Sequence, residues 1–243
     1  TWMGKTWLER NRLISASPDV SRALLDRCPP ETHLRYLSTD NTLVGALTVD
    51  EIGYLFMPEQ WGYSAETFWA AFSGKSRKRL QREKNSLTCR GVDLRRGVHD
   101  DIEIMFELNR QSFGSRSYFA DERFYRGFRD LITWLSEQGC LEVTSLLIEG
   151  TVAAVDVSAV YRNACTVLAG GTHPDFPGVA KLINSAHIEW ACQQKFTEVD
   201  FLCGDFGWKE RFHLTPRPLY QYTSPTWSLD SETPEEAEFI HAG

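Results

Sequence analysis

Charged side chains gather in one short segment, Gly204-Asp205-Phe206-Gly207-Trp208-Lys209-Glu210-Arg211-Phe212, directly after the apolar run Val199 to Leu202. Loops at the carboxyl ends of strands near a crossover are where such sheets build ligand sites. The segment offers carboxylates that can take a proton and a lysine that can meet negative charge. Equally, Lys209 and Arg211 can flank Glu210 on a plain surface helix. A second set is Pro177-Gly178-Val179-Ala180-Lys181, small residues entering a helix. Free backbone N–H groups and the helix dipole favour an anion such as a pyrophosphate at such an end; an ordinary helix entry after a proline turn has the same sequence. Third, Lys75, Arg77, Lys78, Arg79 and Arg82 form a basic run. At helical spacing Lys75, Lys78, Arg79 and Arg82 share a face, which either receives phosphates or is simply solvated. Asp156 interrupts the apolar strand Ala153 to Val157 on the face of Ala154 and Ser158. It either points into a cleft and binds an amine or faces solvent at an edge. His173, after Gly170-Gly171-Thr172, either reaches the same cleft or is a turn histidine without a role.

The elements that must position these residues follow from periodicity and turn chemistry. Runs at His33 to Leu37, Leu43 to Val49 and Ile52 to Phe56 read as a small sheet broken by Pro29-Pro30, Thr39-Asp40-Asn41 and Pro58. A helix follows, with Ser64 as cap, Phe68, Trp69, Phe72 and Leu80 at near-helical spacing, and Gly74 as a possible break. Val92 to Arg95 is a strand. Two helices come next, one with Ile102, Met105, Phe106 and Phe113 on a stripe, the other capped by Asp121 with Phe124, Phe128, Leu131, Ile132 and Leu135 on its apolar face. Leu141 to Ile148, Val152 to Val160 and Ala164 to Ala169 form a meander with turns at Glu149-Gly150 and Arg162-Asn163. A helix from Val179 buries Val179, Leu182, Ile183, Ala186 and Trp190, then Glu198 to Leu202 returns as a strand. A helix joining the meander to this strand lets it lie parallel to a neighbour, which makes the order α+β. A short helical segment at Trp208 to Phe212 and a strand at Leu219 to Tyr222 close the pattern, and 225–243 reads as an acidic, solvated tail.

This order, with the residues Ser73 to Leu80, Leu147 to Ala153, Phe176-Pro177-Gly178 and Asp200 to Lys209, resembles the GNAT-like acyltransferase superfamily. Within it the likeness is to the Fem-like and bacterial cellulose-biosynthesis-type acetyltransferase branch, over about residues 50 to 222. The resemblance implies a GNAT-like mixed sheet flanked by helices and two tandem GNAT-like halves. These would be a shortened, degenerate first half at 1–88 and a catalytic half at 89–224, with the tail at 225–243. It also implies roles. The turn of Gly178, Val179, Ala180 and Lys181 would take the coenzyme A pyrophosphate, although the family's loop carries more glycines. Trp208-Lys209 is similar to the aromatic-lysine motif of Fem peptidyltransferases, so Trp208 would shape the acyl pocket and Lys209 would meet the charge developing on the tetrahedral intermediate. Asp205, beside a glycine at the strand end, is the preferred acceptor of the amine's proton, with Glu210 as the other choice. Tyr118 and Phe119 resemble the family's acceptor-side loop. Lys75, Arg77, Lys78, Arg79 and Arg82 would receive phosphates of coenzyme A or of a transfer RNA acceptor stem.

Three functions fit this pattern: an N-acyltransferase using acyl-coenzyme A and an amine of a small molecule, amino sugar or amino acid; a Fem-like ligase using aminoacyl-transfer RNA; and a non-catalytic GNAT-like binding module. A net charge of −7 argues against a general nucleic-acid binder. There is no G-x-S-x-G elbow, and the dispersed histidines lack metal-ligand spacing, so hydrolase and metal chemistry are not expected. Six singly scattered cysteines read as reduced core thiols. With no apolar export signal and no run of about 20 apolar residues, the expectation is a cytoplasmic protein without a membrane span.

Overall fold

The computed structural model describes residues 9–38, 43, 47–204 and 208–224. In chain order the helices are α1 (Pro18–Asp26), α2 (Ala65–Ala70), α3 (Gly74–Thr88), α4 (Asp101–Phe113), α5 (Glu122–Glu137) and α6 (Val179–Gln194). The strands are β1 (His33–Leu37), β2 (Thr48–Phe56), β3 (Val92–Arg96), β4 (Leu141–Ile148), β5 (Thr151–Tyr161), β6 (Ala164–Thr172), β7 (Glu198–Asp200) and β8 (Thr215–Thr223). They fall into two compact units, one made of the described residues through Leu55 with those from Leu202 onward, the other of Phe56–Phe201. The residue-88 boundary expected from sequence lies inside the second unit, at the end of α3, and the expected tail 225–243 lies outside the described residues.

In the first unit β8 runs between β1 and β2, antiparallel to both. Leu25, Leu37, Leu43 and Leu47 make its core, with Tyr220 and Tyr222 packed against them. Ser17 and Pro18 start α1, the serine hydroxyl accepting from the Val20 N–H and the proline sitting where no N–H is needed. The expected strands Leu43 to Val49 and Ile52 to Phe56 are corrected by the structure: Thr48–Phe56 is one strand with a bulge after Val49. Asp50 lies inside this strand, its carboxylate accepting a bidentate pair from Arg35 and the Tyr36 N–H at 2.9 Å. β8 begins four residues before the expected Leu219 despite Pro216 and Pro218. Those prolines pair with Tyr54 and Ile52 of β2, and β1 joins the other edge only from Tyr220, so the missing N–H groups fall where β8 has one strand neighbour.

The second unit carries the sheet β3-β4-β5-β6-β7, antiparallel except for the parallel pair β6–β7. Both hairpin turns use two left-handed residues, Glu149-Gly150 (φ 54° and 77°) and Arg162-Asn163 (φ 47° and 64°), the geometry that matches strand twist. Asp121 caps α5 by accepting from the Arg123 and Phe124 N–H groups, and Ser64 caps α2 through the Thr67 N–H. Chain direction breaks between α2 and α3, where Ser73 caps the new helix and Gly74 is its first residue. α4 packs on one face of β5 and β6. It comes so close that a Cβ on Gly171 would lie 2.6 Å from the Met105 carbonyl oxygen. α6 covers the other face, where Leu146, Ile148 and Ala154 meet Phe176, Val179, Leu182 and Ile183. α3 buries only Leu87 and is tied to α6 by Lys84–Glu189 at 3.0 Å and Lys181–Glu83. No helix among the described residues is long and apolar enough to cross a membrane. The protein is thus α+β, a mixed sheet flanked by helices.

Candidate functional site

Within the second unit β6 and β7 pair only through Ala164–Glu198, Cys165–Val199 and Thr166–Asp200, while β6 runs on to Thr172. The stretch of β6 beyond that pairing keeps its carbonyls satisfied from α4 instead. Asn109 Nδ2 donates to the Gly170 oxygen at 2.8 Å, and Ser112 Oγ donates to the Thr172 oxygen at 3.3 Å. An opening of this kind, where a parallel pair parts, exposes polar backbone that a ligand can use.

Register places one row of side chains across this region on the α6 face: Arg96 of β3, Thr144 of β4, Asp156 of β5 and Gly170 of β6 stand opposite one another in turn. Asp156 is neither solvated nor at an edge; it is 6% exposed and accepts a 2.9 Å hydrogen bond from His187 Nε2 of α6. Its other oxygen, Oδ1, occupies the space over Gly170, where a Cβ would lie 2.1 Å from it. His187 is fully buried, and its ring stands 6.3 Å from that of Phe201, the residue just after β7. The Nδ1 of His187, Oε1 of Glu142 and Oγ of Ser158 are buried without a hydrogen-bond partner among the described residues. Arg96 donates to Thr144 Oγ1 and stacks on Trp190 at 4.1 Å, with burial lowering its pKa. Burial raises the Glu142 pKa, opposed by the nearby Arg96 charge. Burial also pushes the Cys165 thiol up to about 12, which removes it as a nucleophile at neutral pH.

Sequence reasoning named Asp156 and missed His187, Arg96 and Glu142. A signal for His187 existed: Val179, Ile183 and His187 repeat at four-residue spacing on the buried stripe of α6. Of the other expected site residues, Phe119 packs in the core of this unit against Phe106, Phe124 and Phe128, while Tyr118 is 48% exposed and stacked on Phe124. Their loop is fastened to the opening, since Ser117 Oγ donates to Asn109 Oδ1 at 2.7 Å and the same Asn109 holds Gly170. His173 closes its own turn, with Nδ1 accepting from the Asp175 N–H and the ring edge-on to Phe176. Gly178 starts α6 in the left-handed conformation with no side-chain cap. The Val179 and Lys181 N–H groups bond back to Phe176 and Gly178, and the Lys181 ammonium is paired with Glu83. Lys75, Arg77, Lys78, Arg79 and Arg82 are exposed on α3; Arg79 pairs with Glu83, and no ion pair is recorded for the other four among the described residues.

In the first unit Lys209 is 2% exposed, far from the plain surface position open to a lysine in this segment. Its ammonium donates to the carbonyl oxygens of Leu202, at 3.0 Å, and Cys203, and lies 5.5 Å from the centre of the Tyr54 ring. Trp208 meets Phe212 edge-on at 5.4 Å. Asp205 lies outside the described residues.

Comparison with known proteins fits this architecture. Three solved structures share the fold at low identity: a conserved protein of unknown function from Bacteroides thetaiotaomicron VPI-5482 (15% identity, TM-score 0.53, 84% of this chain and 65% of that one), L-PGS from Bacillus licheniformis (13%, 0.54, 81% and 67%), and FemX (10%, 0.52, 75% and 67%). This chain therefore spans about two thirds of the length of those proteins. Curated protein sequences give no match. The model of the acetyltransferase (GNAT) domain matches residues 74–210, more than half the chain, and takes in the whole row from Arg96 to His187. By that match the chain belongs to the GNAT acetyltransferase domain family.

Proposed function

We propose that this protein is an N-acyltransferase that moves an acyl group from acyl-coenzyme A to an amine of a small molecule, amino sugar or amino acid. The observation that carries this reading is a carboxylate set over a glycine, Asp156 over Gly170, at the place where β6 leaves β7 in a chain of the GNAT family. In the reaction the amine nitrogen attacks the thioester carbonyl, a C–N bond forms, and the C–S bond breaks. The leaving thiolate gains the proton that the amine loses. Asp156 is suited to hold the amine, and the donor's pyrophosphate is assigned to the uncapped start of α6 at Gly178 to Lys181. Asp205, next to Gly204 in the sequence, is assigned the amine's proton. On its sequence motif alone Lys209 is assigned the charge of the oxyanion; within its own unit its ammonium ties down the 202–203 carbonyls.

A second reading, aminoacyl-transfer RNA as donor, is favoured by one observation, the exposed cations Lys75, Arg77, Lys78 and Arg82 along α3. Thermal shift separates the two, because a ligand that binds only the folded state raises the melting temperature by mass action. Acetyl-coenzyme A is expected to raise it in a saturable way, with aminoacyl-transfer RNA doing so weakly or not at all. The opposite ranking would replace the first reading with the second, and no shift with either would leave a binding module.

A further inference from the structure

The geometry points to β3 as a docking edge for a second copy of this chain, the two β3 strands pairing antiparallel about a two-fold axis at Leu94. β3 is the outermost strand of the second unit's sheet and pairs with β4 alone. The Gly97 N–H donates to the Val143 carbonyl at 2.9 Å, and the Gly91 carbonyl accepts from the Glu149 N–H at 3.2 Å, so the odd-numbered residues face β4. Alternation then turns the backbone N–H and C=O groups of Val92, Leu94 and Arg96 away from the sheet. These groups have no hydrogen-bond partner among the described residues. A row of this kind is a template for another strand, and edges are commonly blunted by a proline or a bulge. The register from Val92 to Arg96 holds neither, and Leu94 at its centre is 48% exposed.

Charge and register select a second copy as the occupant. Only registers that oppose the outward residues Val92, Leu94 and Arg96 to one another can share hydrogen bonds. Setting Leu94 opposite the partner's Leu94 also sets Val92 opposite the partner's Arg96, so the whole strand takes part. In the same register Asp93 stands opposite the partner's Arg95 and Arg95 opposite the partner's Asp93, in the pairs where side chains come closest. A slip of two residues one way opposes Asp93 to the partner's Asp93, and the other way Arg95 to the partner's Arg95. Both slips shorten the ladder and bring like charges together. Asp93 is exposed and has no ion-pair partner among the described residues. Arg95 gives Nε and Nη2 to Asp101, which leaves Nη1 for the partner's carboxylate. Arg96 adds no third charge at the seam, because its guanidinium is drawn onto Thr144 and the Trp190 ring. A seam of five residues is small, so the pairing is reversible rather than permanent. It is independent of the acyl-transfer chemistry above.

Sedimentation velocity on the full chain, with concentration raised through the micromolar range, is expected to show a reversible shift from one chain to two. Amide hydrogen exchange at Val92, Leu94 and Arg96 should slow over the same range, while that of Asp93 and Arg95, already bonded to β4, should not change. Leu94→Pro removes an outward N–H without touching a bond to β4. It should weaken association more than about tenfold, because the central hydrogen-bond pair is lost. Asp93→Lys opposes a lysine to the partner's Arg95 and should also weaken association, the more so as salt is lowered. Circular dichroism confirms that each variant is folded, and should Leu94→Pro fail to fold, Asp93→Lys decides. A chain that stays single throughout, exchange at Leu94 that ignores concentration, or folded variants that associate as the wild type does would overturn the proposal.

Discussion

Replacing Lys209 with Met keeps the aliphatic stem and removes the ammonium, and the structure sets what that should cost. Two main-chain carbonyls, of Leu202 and Cys203, lose a charged donor in a side-chain environment that is 2% exposed. An acceptor left unpaired in a buried setting costs about 1–3 kcal/mol, and the cation above the Tyr54 ring adds about 0.5–1 kcal/mol. Relief from burying a charge offsets part of the sum, which leaves a destabilisation of about 2–3 kcal/mol. With a urea slope of about 1–3 kcal/mol per molar, the unfolding midpoint should fall by roughly 1–2 M. Urea titration followed by tryptophan fluorescence reads this directly. A midpoint equal to the wild type's would refute the reasoning that Lys209 holds the exit of the strand. Turnover of the variant is informative only well below its own midpoint. There, a loss of more than about an order of magnitude is expected if the ammonium also stabilises the oxyanion.

Two further outcomes follow from burial and space. Burial raises the folded-state pKa of Glu142 above its unfolded value, so its contribution is most favourable below the unfolded carboxylate pKa and is lost as pH rises through the folded value. Glu142→Gln should therefore raise the melting temperature at neutral pH and leave it unchanged near pH 4; a gain independent of pH would contradict the sign. Gly171→Ala drives a Cβ into the main chain of α4, 2.6 Å from the Met105 oxygen, and should cost about 1–3 kcal/mol in a denaturation experiment. Gly170→Ala would put a Cβ 2.1 Å from Asp156 Oδ1 and force the buried carboxylate away from His187, so it too should destabilise the fold; an unchanged midpoint would show that Oδ1 does not occupy that space.

What could be read in the sequence was what local chemistry dictates. The meander was legible because Glu149-Gly150 and Arg162-Asn163 can adopt the left-handed turns they show, and α5 because Asp121 stands before an apolar stripe. β2 was read as two strands, whereas in the structure the chain continues through a bulge after Val49 and the Asp50 carboxylate is held by Arg35, fifteen residues earlier, a pairing that no local pattern announces. α1 escaped notice although Ser17-Pro18 is a good helix start. At the site Asp156 was visible as a lone charge in an apolar strand. Its partner was not, because His187 lies 31 positions away and only the fold lays α6 over β5. Lys209 was found by its motif, but its burial depends on carbonyls whose orientation no spacing reveals.

The most direct measurement of the central claim is product formation: purified protein, acetyl-coenzyme A and a panel of primary amines, with released thiol and acetylated amine quantified together by mass spectrometry. The reading predicts equal amounts of free coenzyme A and N-acetyl product, both greatly reduced in Asp156→Asn. Thiol release without acetylated amine, or product at the same rate in Asp156→Asn, would contradict it.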